Sequence, residues 1–123
     1  MDAAGGLLIS DGTKFIDFGL GFSSTANQPL LRVLTWTNST TPNTVLAGPT
    51  GNLQGSVMTL KIVGDASHRT YSYWSSGGYT QFYQEAIGTF LTETTGGIYC
   101  LNADASTADW TTTEMLSWAL TNP

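Results

Sequence analysis

"KIVGDASHRTYSYWSSGGYTQFY", residues 61–83, carries the clearest strand-and-turn pattern in the chain. Two clusters of turn formers, Gly64-Asp65-Ala66-Ser67 and Ser75-Ser76-Gly77-Gly78, divide it into three short runs rich in β-branched and aromatic side chains. Runs of that composition between Gly, Ser and Asp read as strands of a meander, not as a helix. In the middle run, period-two alternation puts Tyr71 and Tyr73 on one face and Thr70, Ser72 and Trp74 on the other. Large aromatics on both faces imply that neither face is simply solvent. Core and cross-strand packing is the expectation for most of them, with Trp74 in a core or beneath a partner chain.

The same alternation continues outward in both directions. Upstream, residues 7–10 form a short strand that ends at Asp11-Gly12, a strong hairpin signal, and the chain returns through Lys14-Phe15-Ile16-Asp17-Phe18. Gly19, Gly21 and Ser23-Ser24 then predict a bend or an irregular edge. Residues 30–37, "LLRVLTWT", read as a strand with Leu31, Val33 and Thr35 opposite Arg32, Leu34 and Trp36. A polar loop over 38–43 leads to a shorter strand near 44–47, and a loop over 51–55 precedes a strand at 56–63 with Met58, Leu60 and Ile62 inward. Downstream lie a short strand at 98–102, a loop carrying Asp104, Asp109 and Trp110, and a closing strand over 113–120. About nine short strands with Gly-rich turns describe one all-β domain over residues 1–123, an antiparallel β-sandwich.

Composition narrows the function classes. Of the 123 residues, 11% are charged, and the net charge is -5. Four basic side chains cannot line a phosphate-tracking groove, so nucleic acid is not an expected partner. A hydrophobic content of 41% supports a packed core, and a surface of Thr, Ser, Asn and Gly suits contact with protein or sugar. No leader-like segment and no apolar run long enough for a membrane-spanning helix is expected. Cys100 cannot form an internal disulfide, and its apolar setting reads as a small buried hydrophobe.

Catalytic signatures are scarce. With one His and one Cys, a zinc site lacks ligands, and no Gly-x-Ser-x-Gly elbow is present. His68 follows a turn, where a solvated or capping role is expected. Glu85, Glu93 and Glu114 are not spaced as the paired carboxylates of a glycosidase, and Asp65 or Asp104 with Asp109 read as turn formers more readily than as calcium ligands. No catalytic residue, metal or cofactor is assigned.

Three segments carry a resemblance: "GGLLISDGTKFIDFGLG", "MTLKIVGDASHRTYSYWSSGGYTQFYQ" and "TFLTETTGGIYCLNA", with the terminal "EMLSWAL". Together they resemble concanavalin A-like (lectin/glucanase superfamily) domains, as found in phage structural proteins and bacterial secreted proteins. Where that family has an Asp-Gly turn followed by Trp, this chain has Ser75-Ser76-Gly77-Gly78 and Tyr79, and the strands that relatives place before Gly5 are missing. The resemblance implies a jelly-roll and a non-enzymatic structural protein of an assembly, such as a virion decoration, fibre or tail-associated protein. Its expected partners are copies of itself or other virion proteins. The alternative it implies is a carbohydrate-binding module, secreted or extracellular, with Trp74, Tyr79, Tyr83 or Trp110 stacking on cell-surface or polysaccharide glycans.

Overall fold

A computed structural model describes residues 3–23, 28–50 and 59–102. Among them are eight strands and no helix: β1 (Ala3–Ser10), β2 (Phe15–Ser23), β3 (Gln28–Asn38), β4 (Thr41–Thr50), β5 (Leu60–Gly64), β6 (His68–Ser75), β7 (Gly78–Ala86) and β8 (Thr95–Asn102). They form two antiparallel sheets. The larger has the order β4-β3-β2-β1-β8, and the smaller is the meander β5-β6-β7. The expected closing strand over 113–120, Trp110 and the two loop aspartates lie outside the described residues, as does the side chain of Cys100.

Turn chemistry fixes the meander. Asp65 Oδ1 accepts the backbone N–H groups of Ser67 and His68 at 2.7 and 2.6 Å, closing the turn between β5 and β6. The next turn needs two residues in the left-handed region, and Ser76 (φ 51°) and Gly77 (φ 87°) provide them. That is the primed hairpin geometry that matches strand twist. In the larger sheet the hairpin at Asp11-Gly12 is a four-residue loop, 11–14, rather than a two-residue one. Asp11 Oδ1 holds the N–H groups of Thr13 and Lys14, and Gly12 takes φ 97°.

The two sheets share a core. Ile9, Ile16, Phe18, Leu31 and Val33 of the larger sheet face Tyr71 of β6, with Leu60, Ile62, Tyr73, Phe82 and Tyr83 packed against them. Phe18 meets Tyr71 edge-on at 5.5 Å and stacks with Phe82 at 5.9 Å. Fully burying side chains such as Phe18 and Leu31 stabilises the fold by about 1.5–3 kcal/mol each. A bulge makes this packing possible. Tyr71 pairs with Tyr83 but Ser72 pairs with Gln81, so Phe82 is the extra residue. Strict alternation would put Phe82 and Tyr83 on opposite faces; the bulge lets both pack against the core.

The segment after Phe18 departs from the sequence reading. Gly19 and Gly21 make neither a bend nor an edge: β2 runs unbroken to Ser23 with β1 on one side and β3 on the other. Gly19 instead lets backbones approach. A Cβ on Gly19 would collide with the Gly5 carbonyl oxygen, and one on its rung partner Gly6 with that of Phe18. The 38–43 loop is also shorter than expected, because β3 reaches Asn38 and β4 starts at Thr41.

Among the described residues the smaller sheet does not span the larger one. β5 approaches β1 and β7 approaches β4, so β8 extends beyond the described strands of the smaller sheet. Ile98 pairs with Leu7, and Leu7 with Phe18, so Ile98 faces the core side. It is nonetheless 43% exposed. Residues 87–94 cross from one sheet to the other at the opposite end of the core from Trp74. Leu91 is buried there, and Thr94 N–H donates to the Ser10 carbonyl at 2.8 Å.

Candidate functional site: an aromatic face on the small sheet

Register decides what the small sheet presents to solvent. Lys61 pairs with Ser72 and Ser72 with Gln81, while Trp74 pairs with Tyr79. These residues alternate with inward Tyr71, so they share the outer face. Trp74 is 50% exposed, which corrects the expectation of burial in this chain's own core. The physical reason is the turn that follows it. Trp74 and Tyr79 are the last outward pair before the hairpin, and they pack on each other, edge to face at 5.2 Å, rather than into a layer. Because Ser72 is small, Lys61 reaches across β6 and sets its Nζ 4.8 Å from the centre of the Tyr79 ring.

Of the residues expected to stack on sugar, the register brings two to one place. Trp74 and Tyr79 stand together. Tyr83 packs on the other face against Tyr71, with ring centres 5.8 Å apart, and Trp110 lies outside the described residues. Lys61 was missed in the sequence. The signal that could have found it is the register across a serine, which needs the strand pairing to be known.

Two buried polar clusters were also invisible in the sequence. At the closed end of the core, Arg69 is fully buried; its Nη1 donates to Glu85 Oε1 at 2.8 Å, and its other nitrogens donate to Glu93 and the Leu91 carbonyl. Tyr71 O–H also donates to Glu85, at 2.6 Å. Burial and then the neighbouring carboxylate push the Tyr71 phenol up. Burial works to raise the Glu93 carboxyl as well, but Arg69 outweighs it and holds that carboxyl below the usual range. The fold thus brings together two glutamates that lie apart in the chain, with a guanidinium between them. Both carboxylates are engaged by Arg69, so the cluster fastens residues 87–94 to β6 and β7.

The second cluster lies on the outer face of the large sheet. Trp36 Nε1 donates to Asp17 Oδ2 at 2.5 Å, and Arg32 Nε stands 3.6 Å from Asp17 Oδ1, an ion pair too long for a hydrogen bond. Tyr99, on the rung Tyr99–Gly6–Gly19–Arg32, can reach this group because the two glycines between carry no side chain. Burial pushes the Asp17 carboxyl up against the opposing influence of Arg32, and burial followed by the Asp17 charge pushes Tyr99 up. A nearby hollow of about 330 Å³ around Leu8, Phe15, Thr95 and Gly97 is lined by no titratable side chain. Among the described residues, no group of three or more His, Cys, Asp or Glu side chains is arranged to hold a metal ion.

Comparison of the chain with protein-family models, with curated proteins and with solved structures finds no match.

Proposed function

We propose that this chain is a non-enzymatic assembly domain: a structural component of a phage virion, of the decoration, fibre or tail-associated kind, built on a concanavalin A-like jelly-roll. The observation that supports it is the overhang of β8. Ile98 lies on the core side of the large sheet, beyond the described strands of the small sheet, and stays open to water. An apolar side chain on a sandwich's inner face is a place for a neighbouring subunit. Val45 on β4 and Val63 on β5, both exposed, add apolar surface near other edges. The resemblance of residues 5–21 and 58–84 to domains of phage structural proteins points the same way.

Adhesion to glycans is the second reading, and one observation favours it. Trp74 and Tyr79 form an exposed aromatic platform flanked by side chains that hydrogen-bond readily, Ser72 and Gln81. The two readings are compatible, since a virion protein can also hold a sugar. Sedimentation across a concentration series, run beside a glycan array on the same preparation, separates them. Self-association that weakens in Ile98→Asp supports the assembly reading. A monomer at every concentration overturns it for identical copies, and a monomer that binds sugar makes the module reading the correct one.

A further inference from the structure

The charge on the small sheet's outer face is at odds with the rest of the chain. Nine acidic residues against four basic ones give the protein its net charge of -5. Yet no carboxylate stands among the outward positions of β5, β6 and β7, because Glu85, the one acid on these strands, points inward to Arg69. The basic residues are distributed just as unevenly. Arg32 faces Asp17, Arg69 faces Glu85 and Glu93, and Lys14 donates to the Phe90 carbonyl at 3.2 Å. Lys61 alone has no carboxylate or carbonyl partner among the described residues. Its ammonium lies over Tyr79, beside the open surface of Trp74.

We propose that this face binds an acidic glycan, a saccharide bearing carboxylate or sulfate groups, with Trp74 stacking on the apolar face of one sugar ring and Lys61 meeting the anionic group. The inference rests on the glycan-adhesion reading and specifies its ligand. Each part has a physical role. The aromatic surface removes the C–H face of a pyranose from water. Lys61 supplies a charge-assisted hydrogen bond, and its position over Tyr79 holds the ammonium near the platform. Ser72 and Gln81, on the rung that Lys61 crosses, offer hydroxyl and amide groups to the ring hydroxyls. The absence of outward carboxylates removes the repulsion that the chain's overall charge would otherwise impose. Tyr83, on the inner face, takes no part.

The test is an array of carboxylated, sulfated and neutral glycans probed with the wild-type chain, Lys61→Gln and Trp74→Ala, with circular dichroism melting of each variant. Wild type should retain acidic members and release them as salt rises. Lys61→Gln should weaken the acidic members about tenfold and erase their advantage over neutral ones. Trp74→Ala should weaken binding by at least about thirtyfold with its melting temperature almost unchanged. Binding of neutral members with equal strength, still dependent on Trp74, overturns the acidic ligand while leaving glycan adhesion standing. Binding that ignores Trp74 overturns the site. No binding to any acidic member overturns the proposal altogether, and sedimentation then reports independently on assembly.

Discussion

Replacing Arg69 with methionine isolates the most heavily buried charge among the described residues. The guanidinium is fully buried, the Glu85 side chain is 4% exposed, and that of Glu93 is 31% exposed. Without Arg69, Glu93 is free to turn into solvent, so its loss costs little. Glu85 has no such exit. It keeps the Tyr71 hydroxyl as a partner, but its charge is left uncompensated within the core's edge. Removing one member of a buried ion pair typically costs about 3–5 kcal/mol. Against a total stability of roughly 5–15 kcal/mol for a domain, that is a large fraction. It corresponds to a fall in melting temperature of roughly 10–20 °C at this chain length. Urea unfolding followed by tryptophan fluorescence measures it. The double variant Arg69→Met with Glu85→Gln should regain part of the loss, because no charge is stranded. A single-variant loss below about 1 kcal/mol, or a double variant worse than the single, would mean that Glu85 is not stranded when Arg69 is removed.

The glycine rung yields a contrast: Gly19→Ala should cost about 1–3 kcal/mol by forcing β1 and β2 apart, whereas Gly97→Ala, whose added methyl meets nothing within 4 Å, should be nearly neutral in the same denaturation assay. Phe82→Ala should cost about 3–5 kcal/mol by emptying its place against Phe18, and an ordinary surface-sized loss would mean the bulge does not turn it inward. Ser76→Asn should raise the melting temperature through about 0.5 kcal/mol, because Asn tolerates the left-handed conformation that Ser76 now adopts. Glu93, whose carboxyl is held below its unfolded value, contributes stability that is present above that value and lost as pH falls through its folded one. Wild type should therefore exceed Glu93→Gln in thermal stability at neutral pH, by about 1 kcal/mol or less after allowance for its exposure, with the gap closing in acid.

What could be read from the sequence divides along a physical line. Strands whose faces differ chemically were legible: the alternation in 30–37 assigned Leu31, Val33 and Thr35 to one side and Arg32, Leu34 and Trp36 to the other, as in β3. Turn residues with a local mechanism, such as Asp65 and the Ser76-Gly77 pair, were legible too. Features that depend on what lies across the sheet were not. Gly19 looks like a breaker until Gly6 and the Gly5 carbonyl are known to be its neighbours. Trp74 looks like core until it is seen to be the last pair before a hairpin turn, and Tyr83 looks outward-facing until the bulge at Phe82 is placed. The Arg69 cluster joins residues 16 and 24 positions apart, and no local periodicity marks it.

Hydroxyl-radical footprinting of the intact chain, read residue by residue by mass spectrometry over a range of protein concentrations, asks whether β6 separates a closed aromatic core from an open binding face. At low concentration Trp74 and Tyr79, which are half exposed, should be oxidised readily, while Tyr71 and Phe18 are strongly protected. Protection of Ile98 that grows with concentration is the further sign expected of assembly at β8. Protection of Trp74 equal to that of Tyr71 in the dilute chain would mean that the face proposed to bind is closed.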